Sequence, residues 1–482
     1  MTASVREALE LFSVLTLSYF VGLNAIYLVL TVASARDLAS YLRKRRTLSG
    51  DDIFRSPFTP GITIIVPACN EEAGIVASVQ SLLDLRYPLH EVLVVNDGST
   101  DATVDRLREA FDLVAAPRAS RTAIATRPLR ATYVSRRHPN LWLFDKENGG
   151  KADALNAGVN AARHPYVCAV DADALIEVDA LLAVVAPIVD DPDQVVATGG
   201  IVRIANGCVI DHGRITSIRL PRSPLAVFQV VEYFRAFLIG RVGWSRFNAL
   251  LIISGAFGLF SRAAVEEVGG YWPKTVGEDA ELVLRLHHHL RRIGRPYRIS
   301  FVADPVCWTE APEDLRTLGR QRRRWHRGLG QALWRHRAMI GHPRYRAFGL
   351  LAIPYFVVFE LFGPVVELVG LGVVIAAFAL GAVSVPFFVA FLVVSVMLGV
   401  AFSVAALALE EFSFHRHTQT ADVVRMGVYA LAENFGYRQL NDLWRAIGLV
   451  DLARGKTGWG EQRRKGIGVS VSDTAGRAPT SS

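Results

Sequence analysis

Two long apolar stretches bracket this chain, and they restrict its fold more than any motif does. Residues 8 to about 32 are predominantly aliphatic or aromatic after Glu10, a run long enough to cross about 30 Å of hydrocarbon as a helix. It exceeds the apolar part of a secretory leader and lacks a small-residue cleavage site, so it reads as a retained anchor. Arg36, Arg43, Lys44, Arg45 and Arg46 follow it. Basic residues concentrate on cytosolic flanks, which puts that end and the domain behind it in the cytosol.

The second apolar block runs from residue 348 to about 409, interrupted at 381–386 by a short uncharged turn. Its length suits two crossings, roughly 348–380 and 386–409, with basic flanks at 335–346 and 415–417 returning to the cytosol. The expectation is a multi-pass plasma-membrane protein with three spans and a cytosolic catalytic domain. Pro354 and Pro364 lie in the first of these stretches, so its beginning is expected along the interface before it turns in. Glu360 and Glu367 share a helix face, and either pair with arginines or line a polar path through the bundle. The segment 422–452 mixes Arg425, Glu433, Arg438, Asp442 and Arg445 with apolar residues, which predicts amphipathic helices on the membrane surface. The predicted organisation is thus an anchor (1–35), a basic cytosolic linker (36–59), a cytosolic domain (60–340), a membrane block (341–410), interfacial helices (411–455) and a flexible basic tail (456–482).

Composition agrees with a membrane class, since 51% of the residues are hydrophobic. The net charge of +8 suits nucleic acid, anionic lipid or a phosphorylated substrate, and does not choose among them. Cys69, Cys168, Cys208 and Cys307 are far apart without CxxC pairs, which argues against a disulfide scaffold or structural zinc and fits reduced thiols in a cytosol-facing domain.

Between residues 60 and 340, short apolar runs at 62–69, 90–97, 141–145 and 166–173 alternate with helical patterns near 72–84 and 101–111. That order predicts an α/β domain with an open, mostly parallel sheet covered by helices on both faces. Ligands of such sheets bind beyond the carboxyl ends of the strands. Asn70, Glu71, Asn96, Asp97, Asp171 and Asp173 all fall there. In Val170-Asp171-Ala172-Asp173, the spacing aims one carboxylate at a divalent cation and the other at a ribose or base, although Asp pairs are also common in turns and caps. Gly149-Gly150-Lys151-Ala152 precedes a helical stretch, either as a diphosphate cradle or as an ordinary helix start; it lacks Walker spacing. Consecutive His287, His288 and His289 would point apart on a helix and are given no ligand role. The basic stretch 118–137 lacks aromatic interleaving and reads as a surface loop, so no nucleic-acid partner is expected.

Taken together, VPACNEE (66–72), VVNDGSTD (94–101), ENGGKADALN (147–156), VDAD (170–173), SGAFGLF (254–260), VGED (276–279) and QRRRW (321–325) resemble the ordered motifs of family 2 glycosyltransferases. The pattern is most similar to processive poly-beta-1,6-N-acetylglucosamine synthases, with cellulose, chitin and hyaluronan synthases as relatives. The resemblance implies a GT-A type domain and an inverting transfer from a UDP-sugar, such as UDP-N-acetylglucosamine or a related hexose donor, to a growing beta-linked polysaccharide coupled to export. By position it implies that Ala68, Asn70, Glu71 and Asp97 hold the uridine and Lys151 contacts the diphosphate. Asp171 and Asp173 form the DxD pair, with Asp173 the ligand of Mg²⁺ or Mn²⁺. Asp279 is the general base, with a helix N-cap as the plain alternative. Gln321 and Arg324 contact the diphosphate and Trp325 stacks the acceptor sugar, while a basic helix end at the membrane accounts for Arg322 and Arg323. Partners would be the UDP-sugar, the polysaccharide, the bilayer and an accessory export or regulatory subunit.

Two departures stand out. Cys69 replaces an aromatic residue, and Gly277 replaces a threonine, which predicts a looser setting for Asp279. The alternatives are a non-processive transferase acting on a lipid or glycolipid, and a catalytically silent nucleotide-sugar sensor or scaffold. Retention of Asp171, Asp173 and Asp279 argues against the silent reading.

Overall fold

The computed structural model describes residues 2–47, 59–211, 214–414 and 420–456. Most of the expected linker, the flank at 415–417 and nearly all of the expected tail lie outside the described residues.

In chain order the strands are β1 (Ile62–Ala68), β2 (His90–Asp97), β3 (Leu113–Ala115), β4 (Leu129–Ser135), β5 (Leu141–Lys146), β6 (Tyr166–Val170), β7 (Leu175–Ile176), β8 (Val195–Ile204), β9 (Val209–Asp211), β10 (Arg214–Ser217), β11 (Phe257–Ser261) and β12 (Arg298–Thr309). All but β9 and β10 form one sheet in the order β3-β4-β5-β2-β1-β6-β11-β8-β12-β7. Its centre, β5-β2-β1-β6, is parallel throughout, and β8 and β12 pair in parallel beyond it. The central strands are buried along nearly their whole length. Helices cover both faces, which explains their continuous Val/Ile/Leu runs. The expected open, mostly parallel α/β sheet is therefore present, with antiparallel strands the periodicity does not announce: β4 between β3 and β5, β7 on β12, and β11 between β6 and β8. The connection from β8 back to β11 runs through the β9–β10 hairpin and the helix Pro224–Phe234, so the chain re-enters the sheet from the opposite end.

The carboxyl ends of β1, β2 and β6 meet the starts of three helices. Lys151–Ala161 packs on β1 and β2. Glu278–Arg292 and the long basic helix Leu315–Arg335 pack against each other. The observed helix starts fall slightly later than the sequence pattern suggests near 72 and 101, at Ile75 and Thr103.

The first helix spans Ala3–Thr47 without interruption, continuing past the expected end of the anchor because no glycine or proline follows until Gly50. Among the described residues, two helices are long and apolar enough to cross a membrane, Ala3–Arg43 and Val385–Phe414, or up to three spans if the bent pair Phe348–Leu361 and Gly363–Ala379 counts as one. That pair is bent by 51°. The break falls just before Pro364, whose missing N–H and ring disrupt the helical ladder. The helices Thr420–Ala432 and Tyr437–Ala453 follow, and the second packs along Leu315–Arg335. Its polar face is not turned to solvent: Arg438, Asp442 and Arg445 line an internal cavity. A buried ion pair between Arg203 of β8 and Glu410 of the helix Leu398–Phe414 fastens the sheet to the apolar bundle.

Candidate active site

A single cavity of about 1730 Å³ begins at the carboxyl ends of the central strands and continues between the apolar helices. Ala68, Asn70, Glu71, Asp97, Lys151 and the Asp171–Asp173 pair all line its sheet end. Asp279, Gln321, Arg324 and Trp325 line the middle. The structure thus brings every expected site residue to one continuous space.

At the sheet end, Asp97 is buried and saturated from within the protein. Its carboxylate accepts from the Lys146 ammonium at 2.7 Å and from the backbone N–H groups of Gly149 at 2.9 Å and Gly150 at 2.7 Å. Lys146 also bridges to Asp153 at 2.5 Å. Asp97 therefore fixes the Gly-Gly-Lys loop, whatever else it touches. Asn70, with φ of 58°, uses its side-chain oxygen to accept from the Thr100 N–H at 2.8 Å, an αL role that asparagine tolerates. It ties the loop after β1 to the loop after β2. The Glu71 N–H donates to the Thr103 hydroxyl oxygen at 2.9 Å. Cys69 is exposed in this wall and presents no ring; its thiol is pushed upward by burial and by Asp97, Glu71 and Asp101.

Lys151 is the hinge of the charged centre. Its ammonium lies 2.6 Å from Asp171 and 3.1 Å from Glu278. Burial pulls its pKa down, but these two carboxylates outweigh it, and the net direction is up, so the lysine stays charged. Glu278 is buried and pushed upward by desolvation, with Lys151 opposing. Sequence reasoning gave Glu278 and Lys146 no role. The signal was an acid adjacent to Asp279 in Gly-Glu-Asp, and a lysine closing a buried strand, which needs a counter-charge.

Asp279 sits inside the first turn of its helix, whose N-cap is Gly277, so the N-cap alternative does not hold. Its carboxylate accepts from Gly255 N–H at 3.0 Å. A Cβ on Gly255 would lie 3.0 Å from the Lys151 Nζ and 3.3 Å from the Asp279 oxygen, so a larger residue there would push the ends of both side chains aside by a few tenths of an ångström. Nor is Gly277 a loose point. Its Cβ position lies 3.1 Å from the Cα of Gly328, and the reverse distance is the same. Two backbones touch there, and the absence of side chains lets the helix bearing Trp325 close on the helix bearing Asp279.

Trp325 is 41% exposed, with the Arg322 guanidinium 4.8 Å over its ring. Arg322 is buried and paired with Glu232 at 2.7 Å, and Arg323 with Asp451 at 2.6 Å. These arginines staple helices together; they are not the free basic helix end expected from sequence. Arg118 is likewise not a surface residue: it is buried against Glu91 at 3.0 Å and stacks 4.8 Å from the Trp142 ring. The three consecutive histidines diverge as expected. His287 meets Tyr297 and Leu250, His288 meets His336, and His289 meets Glu267.

Among the described residues no group of three or more His, Cys, Asp or Glu side chains is placed to hold a metal alone. Two carboxylates two residues apart, both lining the cavity, do fit a hard cation that takes its remaining ligands from phosphate oxygens and water.

The Glycosyl transferase family 2 model matches residues 63–269. The chain carries a family 2 glycosyltransferase domain. A poly-beta-1,6-N-acetyl-D-glucosamine synthase of Staphylococcus aureus (strain COL) is 28% identical over 330 residues, 67% of this chain and 66% of that protein; the match thus spans just under two thirds of the relative's length. The synthase of the same name from Staphylococcus epidermidis is 28% identical over 277 residues, 57% of this chain and 56% of its own. Among solved structures, a mannosyltransferase from Pyrobaculum calidifontis in complex with GDP-Man and Mn²⁺ is 22% identical, with a TM-score of 0.47 covering 86% of this chain and 99% of that one. In the glycosyltransferase domain, the matched span contains the Asp171–Asp173 pair and Lys151 but ends before Asp279 and Trp325.

Proposed function

We propose that the chain is an inverting, membrane-embedded glycosyltransferase that adds sugar from a UDP-sugar to a growing beta-linked polysaccharide and delivers the polymer into a path between its helices. The observation that carries this reading is the continuity of the cavity, from the strand ends through Asp279 and Trp325 to Glu360, Glu367, Arg438 and Arg445. The membrane-side acids are both paired and cavity-lining: Glu360 with Arg445 at 2.8 Å, and Glu367 with Arg438 at 3.5 Å. A wall of paired ions is polar without carrying an uncompensated charge.

In this reading Asp279 takes the proton from the attacking hydroxyl of the acceptor. Its oxygen is oriented by the Gly255 N–H. Lys151, held charged by Asp171 and Glu278, faces the departing diphosphate, and Arg324 adds positive charge on the other side of the cavity. Asp171 and Asp173 would hold Mg²⁺ or Mn²⁺, which neutralises the leaving diphosphate when bound. Ala68, Asn70, Glu71 and Asp97 frame the uridine pocket, with Asn70 and Asp97 fixing its loops. Trp325 offers an apolar face to the acceptor ring.

The domain faces the cytosol in this reading, where nucleotide-sugars are made, and the apolar helices hold it in the plasma membrane. The test is to incubate purified protein in sealed, inverted vesicles with a panel of labelled UDP-sugars and analyse product size, linkage and glycanase sensitivity. Lumenal, protected polymer is expected. A single sugar on lipid, accessible from outside the vesicle, would replace the polymer reading with the non-processive one.

A further inference from the structure

The helix Pro224–Phe234 does not end at Phe234 but continues through a π-helical run, Arg235–Arg241, into Val242–Arg246. A π-turn inserts an extra residue into the helical repeat and rotates the side chains that follow, and such runs concentrate at functional sites. Here it turns Arg241 into the cavity. Its guanidinium lies 3.9 Å from the centroid of the Phe237 ring, one turn back. Its Nη1 is buried with no hydrogen-bond partner among the described residues. An orphaned, buried cationic donor in a site is costly unless something brought into the site pairs with it.

Its surroundings say which side of the reaction it serves. Lys151 is flanked by Asp171 and Glu278, on the diphosphate side. Arg241 lines the cavity together with Asp279 and Tyr233; burial pushes its pKa down, and these two groups oppose that. Tyr233 in turn feels Arg322, the residue whose guanidinium covers Trp325. Arg241 thus shares the cavity lining with the proposed base, Asp279, and with Arg322 and Trp325 of the proposed acceptor platform. On the same cavity, the side-chain oxygen of Gln321 is also buried without a partner. The unmatched Arg241 N–H suits an oxygen acceptor, such as a sugar hydroxyl or an amide carbonyl.

We propose that Arg241 is an acceptor-binding residue, its Nη1 donating to an oxygen of the terminal sugar of the acceptor while Phe237 holds the guanidinium plane. This rests on the transferase reading above. A guanidinium set flat on a ring presents its N–H groups in a fixed direction, which an ammonium does not, so the residue would select the orientation of the acceptor as well as its presence.

The test is steady-state kinetics of the full-length protein with the UDP-sugars of the panel, using as acceptor the β-linked oligosaccharide of whichever sugar is consumed. Arg241→Gln is expected to raise the acceptor KM about tenfold to a hundredfold, as for loss of a charged hydrogen bond, while UDP affinity and donor KM stay within about twofold. Arg241→Lys should recover only part of the loss. Retained UDP affinity certifies the fold; should the Gln variant lose it, Phe237→Leu keeps the guanidinium, frees its plane and should raise the acceptor KM severalfold. An unchanged acceptor KM, or an equal rise in donor KM, overturns the inference and leaves the transferase reading standing. A wild-type protein that consumes none of the UDP-sugars overturns both.

Discussion

The two ends of the cavity are both lined by carboxylates matched to cations, but they are assembled differently. At the sheet end the partners come from short segments that the fold brings together at strand ends and helix starts: Asp97 with the Gly149–Gly150 amides, Lys151 with Asp171 and Glu278. At the membrane end each pair joins different helices, Arg445 with Glu360, Arg438 with Glu367 and Arg235 with Glu433. In the proposed reading the charged Lys151 at the first end faces the leaving diphosphate, while the Gly149 and Gly150 N–H groups are used by Asp97 to fix the loop that carries it. The second end has its charges already cancelled, which suits passage of something neutral and also locks the helices to one another. In the proposed reading the difference would let one cavity serve two tasks, chemistry at the strand ends and passage of a neutral chain where the helices carry paired charges.

The sharpest way to break this comparison is at the proposed base. Asp279→Asn keeps the volume and the Gly255 contact but removes the proton acceptor, so transfer is expected to fall about 10²- to 10⁴-fold with UDP affinity unchanged; an active Asn variant would remove Asp279 from that role. Next in size is the cation. Excess chelator should stop turnover, and Asp173→Ala should weaken metal-dependent UDP binding about tenfold or more, measured by titration with Mn²⁺ at fixed UDP. Full turnover in chelator would show that Lys151 and Arg324 suffice.

Towards the membrane the expected effects shrink. Trp325→Ala removes the ring that is open to the cavity and should cost roughly 1 kcal/mol of acceptor binding, read as shorter polymer at equal donor consumption. Polymer of full length would exclude stacking there. Glu360→Gln should destabilise the protein by about 1–3 kcal/mol, because it leaves the part-buried Arg445 short of its counter-charge. The double variant with Arg445→Gln should recover part of that loss. Additive losses would mean that the two ends do not differ in the way described.

How much of this was legible in the sequence follows the same divide. The parallel strands and their polar ends could be read because buried strands are continuous apolar runs, and the site residues because they cluster in short local motifs. β11 could not, since a five-residue strand inserted antiparallel carries no periodicity of its own. Arg118, Arg322 and Arg323 look like surface charges in the sequence, and only tertiary pairing with Glu91, Glu232 and Asp451 makes them internal. Glu360 and Glu367 were readable as either paired or path-lining, and the structure shows them paired with Arg445 and Arg438 on the wall of the cavity. Arg241 carried no sequence signal, because its direction depends on a π-turn that no residue pattern announces.

The subtlest test concerns Gly277, where reading the sequence and reading the structure lead to opposite expectations. If glycine merely loosens the helix start, Gly277→Thr should tighten Asp279 and leave activity equal or higher. The structure puts the Gly277 Cβ position 3.1 Å from the Cα of Gly328. That neighbour is helix backbone, which yields far less readily than a flexible side chain. A Cβ there must push the helix Leu315–Arg335 away by a few tenths of an ångström. Arg324 and Trp325 move with it, while Asp279 stays with Gly255. The expected result is a stability loss of about 1–2 kcal/mol from overpacking, together with a severalfold lower transfer rate. Gly328→Ala should do the same from the other side, since its Cβ would meet Gly277 at the same distance. Thermal unfolding and turnover of both variants measure this. If Gly277→Thr were as stable and as active as the parent, the two helices would not be in the contact that joins the proposed base to the proposed acceptor platform.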